Sequence, residues 1–415
     1  MSLGTRGDVQ PFVALGAALK RRGAQVTVST GAGFEAMIES AGLTAAPFFI
    51  DYQSLLQQPD MQAAMHSLSG KLRVLRQSRD WLRKELEEQW DLAKAIRPDL
   101  IVYNPKAPMA PHVAHELRAV AVPAVLQPVL APTGEFPFMM MSSRSLSRVG
   151  NRLSHRLATG LAHLLNGRNF KALAASRTDV KLSAGLDELI GYAPGGRAVP
   201  RLHAYSRHLV PRPDDWPEGE TITGYWFRDN GEPDWTPPAD LARFLQSGPP
   251  PVYVGFGSMP SIDARKTARD AVEGLRRAGR RGVLATGWGG LDAEVAGDDI
   301  HVISGAPHAW LFPRCAAIVH HGGTGTTHQA LRWGRASVVC PIFGDQPFWA
   351  RRVAEAGGGS APLPMKRFTA ERLAQRLEVA LSDAVCARAE ELGRLIRAEA
   401  GAERAADVLE GVIKG

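Results

Sequence analysis

The run Ala316-Ala-Ile-Val-His-His-Gly-Gly-Thr-Gly-Thr-Thr327 decides the fold. Its apolar opening predicts a buried strand, a glycine turn follows at once, and a helix from about Thr326 to Trp333 takes up the chain. Strand, glycine turn and helix in that order make a corner suited to a phosphate. Glycines let the backbone approach closely, and the helix offers unpaired N–H groups and the positive end of its dipole. His321 stands where it can donate to a phosphate oxygen. A plain glycine turn with a histidine pair, or a nicotinamide dinucleotide loop, carries a similar local pattern. The neighbouring sequence has to discriminate.

Downstream, the strand Ser337-Val-Val-Cys340 runs into Pro-Ile-Phe-Gly-Asp345-Gln346-Pro347, which puts a carboxylate and an amide at a strand's carboxyl end, where they can bind adjacent sugar hydroxyls. Upstream, strands over Pro251–Gly255, Gly282–Ala285 and Ile300–Ile303, with a helix over Ala264–Ala278, complete one α/β alternation. The amino-terminal half repeats the scheme. A helix from Val9 to Arg22, a strand over Gln25–Thr30, a helix over Trp81–Ile96, a strand over Leu100–Tyr103, a helix near Ala110–Leu117 and a strand over Ala124–Leu126 predict a parallel sheet covered on both faces. Only Met1, Ser2 and Leu3 precede the turn Gly4-Thr-Arg-Gly7, so the first strand is very short or the start lies upstream of Met1. Glycines and prolines interrupt every period around Thr223–Pro238. The expected organisation is a domain over 1–222, a linker over 223–245, a second domain over 246–390 and a terminal helix over 391–415 that packs back on the first. Two Rossmann-like halves then face each other across a cleft, and ligands bind beyond the carboxyl ends of the strands.

Composition agrees with this reading. At 415 residues the chain exceeds one ordinary core, and 45% hydrophobic with 22% charged residues suits a folded globular protein. Cys315, Cys340 and Cys386 have neither even number nor C-x-x-C spacing, which argues against a disulfide framework or a structural zinc and for a reducing compartment. No apolar run is long enough to span a bilayer and the amino terminus is unlike a signal peptide, so a cytoplasmic protein is expected. The net charge of +7 favours an anionic partner: a phosphate-bearing substrate, a membrane surface or, last in order because no nucleic-acid motif occurs, nucleic acid.

The whole run from His320 to Trp349 resembles the donor-binding signature of family 1 glycosyltransferases, the UDP-glycosyltransferase superfamily. Val254-Gly-Phe-Gly-Ser-Met259, Thr286-Gly-Trp-Gly-Gly290 and Pro307-His-Ala-Trp-Leu-Phe-Pro313 fit the same pattern. The resemblance implies the GT-B fold with the donor domain carboxyl-terminal. It places Ser258, His321, Gly323, Thr324, Gly325 and Thr326 around a diphosphate, Asp345 and Gln346 on the sugar, and Trp288 near the base. Two positions depart from the plant branch: Gln329 replaces the glutamate that holds the ribose, and Gly305 stands where a base-stacking tryptophan would be.

At the other end, Gly4-Thr-Arg-Gly-Asp-Val-Gln-Pro11 resembles the opening motif of the sterol and antibiotic glycosyltransferase branches. Asp8 takes the place of the plant branch's histidine, and a carboxylate there can accept the proton of an acceptor hydroxyl as it attacks the anomeric carbon, with inversion. As the residue opening a helix it also suits an N-terminal cap, worth about 1 kcal/mol. Asn104 occupies the position of the plant branch's supporting aspartate. The run Gln127–Pro137, with Thr133 and Phe136, corresponds to an acceptor-side loop but departs from the sterol branch's form. No D-x-D occurs, which argues against the metal-binding GT-A design, so no metal or cofactor is expected beyond the nucleotide-sugar co-substrate, with UDP-glucose as the first choice.

Between these halves, Arg144, Arg148, Arg152 and Arg156 recur four apart beside Leu146, Val149, Leu153, Leu157 and Leu161. A solvated ridge over a buried face is the ordinary reading. The alternative is a surface helix over 144–161 that meets an anionic membrane and admits a lipid acceptor. The expected activity is therefore hexose transfer to the hydroxyl of an apolar acceptor such as a sterol, lipid or natural-product aglycone. Two other classes compete. A dinucleotide-dependent oxidoreductase requires a G-x-G-x-x-G spacing after the first strand, which Gly4-Thr-Arg-Gly7 lacks. A non-catalytic nucleotide-sugar-binding protein would not need Asp8 together with His321, Asp345 and Gln346.

Overall fold

The computed structural model describes residues 1–49, 51, 68–141, 145–228, 235–257, 263–286 and 297–414. The amino-terminal half holds α1 (Arg6–Arg21), β1 (Thr27–Gly31), α2 (Glu35–Glu39), β2 (Thr44–Phe48), α3 (Leu68–Ile96), β3 (Leu100–Tyr103), α4 (Ala110–Leu117), β4 (Val120–Val125), α5 (Arg148–Ser176), β5 (Arg201–His203) and β6 (Glu220–Ile222). The pairs β1-β2 and β3-β4-β5-β6 are parallel throughout. Residues 1–3 fill the gap between the two groups. Ser2 N donates to Ser29 O at 2.9 Å, the Met1 amino group donates to Val102 O at 2.7 Å, and Asn104 N donates to Met1 O at 3.1 Å. These three residues act as the short first strand, and the glycine turn that follows opens at the centre of one continuous sheet.

The carboxyl-terminal half holds α6 (Ala239–Gln246), β7 (Val252–Gly255), α7 (Ala264–Arg277), β8 (Gly282–Ala285), β9 (Ile300–Ile303), α8 (His308–Leu311), β10 (Ala317–His320), α9 (Thr324–Arg332), β11 (Ala336–Val339), α10 (Gln346–Glu355), α11 (Ala370–Ala380), α12 (Asp383–Ala398) and α13 (Gly401–Lys414). Its sheet is parallel with order β11-β10-β7-β8-β9. Chain order reverses between β7 and β10, whose registers bring Gly255 level with His320. The switch point of a doubly wound sheet is where ligands bind, and here the loops on either side of it carry Gly257 and His321. Fully buried Val252, Val254, Val319 and Val338 lie on one face of these strands and fully buried Val283 and Ile318 on the other, so both faces are apolar, as a sheet covered on both sides requires.

Two expectations need correction. Helix α12 stays on the carboxyl-terminal half, with Leu392 and Ile396 packed in one cluster with Leu331 and Val353. The return to the first half is made by Glu399 at the end of α12, which accepts from Ser206 Oγ and Arg207 N, and by α13, through Ala405, Ala406 and Leu409 against Phe12, Leu15 and Ala18 of α1, with Arg22 donating to Glu403 and Asp407. The second correction concerns α5, whose apolar row faces outward while Asn151, Ser154 and His155 are buried. The position of Arg144 lies outside the described residues. None of the described helices is long and apolar enough to cross a membrane.

Candidate active site

Asp8 lies in the first turn of α1, and its carboxylate turns back on its own loop. Oδ2 accepts from Thr5 N at 2.9 Å and Thr5 Oγ1 at 3.3 Å, completing a capping box. Gly4 permits this. Its φ is 137°, and a Cβ there would stand 2.1 Å from Asp8 Oδ2. The other oxygen, Oδ1, accepts from Lys106 Nζ at 2.9 Å. Lys106 is placed by Asn104, whose Oδ1 accepts from Lys106 N at 3.2 Å while its Nδ2 donates to Leu3 O at 3.0 Å and Ser2 Oγ at 3.2 Å. Asn104 therefore does not touch Asp8 itself; it ties the β3 loop to the first strand and so aims the lysine. A lysine two residues after an asparagine gave no warning of this in the sequence.

Across the cleft, α9 begins at Thr324 with Gly323 as its cap residue and no side chain capping the end. A helix end left open in this way keeps N–H groups for an anion. Gly322, with φ 92°, lets the chain turn between Val339 and Gln346, where a Cβ would lie 2.7 Å from Val339 Cγ1. The His321 ring occupies a slot between two glycines. A Cβ on Gly257 would come within 3.0 Å of its Cε1, and one on Gly323 within 2.6 Å of its Nε2. Its Nδ1 is buried without a partner. Desolvation holds its pKa down at about 4, so at neutral pH the ring is an uncharged donor. Thr326 and Gly325 lie half-buried in the same first turn. Ser258 and Trp288 lie outside the described residues.

Asp345 sits at the mouth of this loop and organises it. Its Oδ2 accepts from Thr324 Oγ1 at 2.9 Å, Trp349 Nε1 at 3.0 Å and Gln127 Nε2 at 3.2 Å. Gln127 belongs to the other half of the molecule and also reaches Thr324 Oγ1 at 3.4 Å. Gln346 is buried, and its Oε1 accepts from Ile342 N at 2.8 Å and Phe343 N at 3.2 Å, so this oxygen holds the loop's shape. Gln329 is buried with an unpartnered Oε1.

Tyr225 connects the two sides. Its ring stacks on His328 at 4.6 Å, and a Cβ on Gly325 would stand 3.0 Å from its hydroxyl. Burial, with the charge of Asp8 second, pushes the phenol above its ordinary pKa. The carboxylate of Asp8 and the glycine loop of residues 321–325 thus meet around one tyrosine.

Thr133 and Phe136, expected on the acceptor side, do not line it. Thr133 Oγ1 donates to Asp215 Oδ1 at 2.6 Å, and Phe136 is buried among Phe348, Trp349 and Tyr205, packing the two halves together. Asp215 also accepts from Gly134 N at 2.8 Å and Arg152 NH2 at 2.7 Å. Burial works to raise its pKa, but these bonds outweigh it and hold the group at about 2. Among the described residues, His163, Asp187 and Glu188 bring three possible metal-ligand atoms within 4.8 Å of one another, on α5 and the loop beyond it.

Comparison with known proteins follows the same division. Residues 1–126 match the Glycosyltransferase family 28 N-terminal domain, and residues 291–408 match the Erythromycin biosynthesis protein CIII-like, C-terminal domain. The chain is 34% identical over 406 residues to a sterol 3-beta-glucosyltransferase of Arabidopsis thaliana, covering 96% of this chain and 63% of that protein. It is 32% identical over 428 residues to the O-mycaminosyltylonolide 6-deoxyallosyltransferase of Streptomyces fradiae, covering 99% and 96%. The crystal structure of the glycosyltransferase VinC in complex with DTDP superposes with a TM-score of 0.69 at 18% identity, over 99% of this chain and 98% of that one.

Proposed function

We propose, from the premise that this chain belongs to the GT-B glycosyltransferase family, that it transfers a hexose from a nucleoside diphosphate sugar to a hydroxyl of a largely apolar acceptor, with inversion. The observation that carries the reading is the meeting in one cleft of Asp8, held by Thr5 and Lys106, with an uncapped helix end flanked by His321 and Asp345.

In the proposed reaction an acceptor hydroxyl donates its hydrogen bond to the Asp8 carboxylate. As its oxygen attacks the anomeric carbon, the proton passes to Asp8 and the bond to the diphosphate oxygen breaks on the opposite face. The departing charge falls on the amino end of α9, with the imidazole of His321 and the hydroxyl of Thr326 beside it, while the Thr324 hydroxyl stays bound to Asp345. Lys106 keeps the carboxylate oriented and compensated between turnovers. Asp345 and Gln346 frame the sugar. No metal enters, a reading supported by the lack of any D-x-D in the sequence.

UDP-glucose is the first donor proposed. A thymidine diphosphate sugar is the second, because Gln329 replaces the ribose-holding glutamate of the plant branch and VinC was solved with DTDP. A sterol or a macrolide-like aglycone is the acceptor class proposed, after the sterol and tylonolide transferases. The three free cysteines suit a reducing, cytoplasmic setting.

The experiment is a panel of nucleotide sugars scored for nucleotide release in excess EDTA, followed by apolar acceptors scored by mass and by anomeric configuration. Release of UDP or dTDP with a new glycoside of inverted configuration is expected. No release from any donor removes the transferase reading, an absolute requirement for a divalent ion removes the metal-free mechanism, and a retained anomer removes Asp8 as base.

A further inference from the structure

We propose that the outward face of α5, together with Met140 and Met141, docks on an anionic lipid bilayer. Over residues 148–164 the helix is built inside out, and further on it buries the apolar Phe170 and Leu173 in the ordinary way. Toward the protein it sends polar side chains with work to do: Asn151 Nδ2 donates to Gly134 O at 2.8 Å, Ser154 Oγ accepts from Phe138 N at 2.8 Å, and His155 Nε2 pairs with Phe136 O at 3.1 Å. Toward solvent it sends Val149, Leu153, Leu157, Leu161 and Leu164, of which Val149 is 75% exposed and the rest each more than half. In the chain leading into the helix Met140, at 70% exposure, Met141 and Leu146 are exposed as well. Steps of three and four residues keep the stripe from Val149 to Leu164 on one side of the helix, along about 22 Å of its length at 1.5 Å per residue. Contiguous apolar surface on this scale marks an interaction site.

Charge identifies the occupant. Between Glu135 and Asp179 the sequence contains no acidic residue. Arg152 and Arg177 are neutralised within the fold, by Asp215 and by Asp91 with Asp179. Arg148, Arg156, Arg168 and Lys171 are exposed. Arg148 and Arg156 each precede an apolar member of the stripe by one residue, roughly 100° around the helix, and so flank it, while Arg168 and Lys171, four and seven residues beyond Leu164, continue the stripe's own face. An apolar row beside a basic row, on a helix that does not span, is the pattern of a segment lying in the headgroup region with its apolar side dipping inward. A second copy of this chain would bring the same positive row against itself, and like charges oppose that pairing. Anionic headgroups complement it.

The inference rests on the transferase reading only for its consequence. The helix that meets the lipid also pins the backbone of residues 134–138, so docking would hold the amino-terminal half, and Asp8 with it, at the surface where amphiphilic acceptors collect.

The test uses the full chain without donor, sedimented with vesicles of phosphatidylcholine alone or mixed with phosphatidylglycerol, at low and moderate salt. The wild type should prefer the anionic vesicles. The triple variant R156Q/R168Q/K171Q should bind them about a hundredfold more weakly, at a factor of about five per charge. The variant L153Q/L157Q/L161Q should lose binding to both vesicle types. All six positions are solvent-exposed, and unchanged thermal unfolding confirms that each variant folds. Equal vesicle binding by all three proteins, or no anionic preference, overturns the proposal. So does a wild-type dimer in sedimentation velocity that the leucine variant dissociates while no vesicle binding is seen, which would assign the face to a second copy. Loss of nucleotide-sugar turnover with vesicle binding intact would remove the transferase reading and leave the docking face in place.

Discussion

The His321 slot makes a prediction that separates the ring's position from its mere presence. A hydrogen bond to a charged phosphate contributes about 1.5–3 kcal/mol, so H321A should weaken nucleotide diphosphate binding by about ten- to a hundredfold. The substitution G323A leaves the imidazole in the chain. Its φ of −60° suits alanine, so no backbone strain arises. The new methyl, however, would stand 2.6 Å from Nε2, about 1 Å inside ordinary contact, and the ring must swing away from the helix end. G323A should therefore lose most of what H321A loses. The double variant should be no worse than H321A alone, because the methyl has no ring left to displace, and that non-additivity is the diagnostic. Titration calorimetry with UDP and dTDP on the four proteins measures all of this, with unfolding midpoints as the control for folding. Strictly additive losses, or a G323A protein that binds like wild type, would show that the imidazole does not meet the phosphate and that the helix N–H groups bind it unaided.

Other expectations follow from the remaining contacts. D8N keeps an oxygen for the Thr5 cap but cannot take a proton, so transfer should fall by about two to four orders of magnitude with UDP affinity unchanged; a parallel loss of affinity would reduce Asp8 to a cap. Q127A removes the bridge to Asp345 and Thr324 and should raise the donor KM about two- to tenfold, with no effect expected on vesicle binding; an unaltered KM would mean the bridge is absent when donor is bound. Burial holds Glu399 up at about 7, so its contribution to stability is present at low pH and lost as pH rises through 7. Its Oε1 accepts from Ser206 Oγ and Arg207 N, bonds that glutamine can keep, and E399Q should raise the denaturation midpoint at pH 8 but not at pH 5; destabilisation at both would show that the charge is needed. The sign reverses for His308, His321 and His328, each held near 4 by burial, with nearby charges also lowering His308. The unfolded chain binds more protons than the folded one between about 6.5 and 4, so stability measured by denaturant titration should fall as pH drops through that window, and a flat profile there would contradict their burial.

Much of the fold was legible because α/β alternation writes itself in apolar runs and glycine turns. The strands over Leu100–Tyr103, Gly282–Ala285 and Ile300–Ile303 have the expected limits. Strand β2 and strands β5 and β6 were missed: Thr44-Ala-Ala-Pro-Phe48 is short and carries a proline, and β5 and β6 have three residues each, too few for a period to show. The glycine loop over residues 321–325 was legible as a local motif, whereas Lys106, Tyr225 and Gln127 were not. Each reaches the cleft from a different strand end or crossover, and single residues of this kind carry no spacing signal. Helix α5 misled for a different reason. Periodicity marks which residues share a face but not which face the protein keeps, and here hydrogen bonds to the 134–138 backbone claimed the polar side.

The two passages of the chain between the halves touch. A Cβ on Gly401 would lie 2.5 Å from Tyr225 O, and Gly224, with φ 96°, packs against Glu399. The two crossings are bolted together rather than strung apart, and a side chain at either glycine would have to force them asunder. Because α13 is fastened to α1 just beyond the seam, such a wedge would be felt on the far side of the amino-terminal half as well as at the junction. The second crossing acts as a rivet driven through the first.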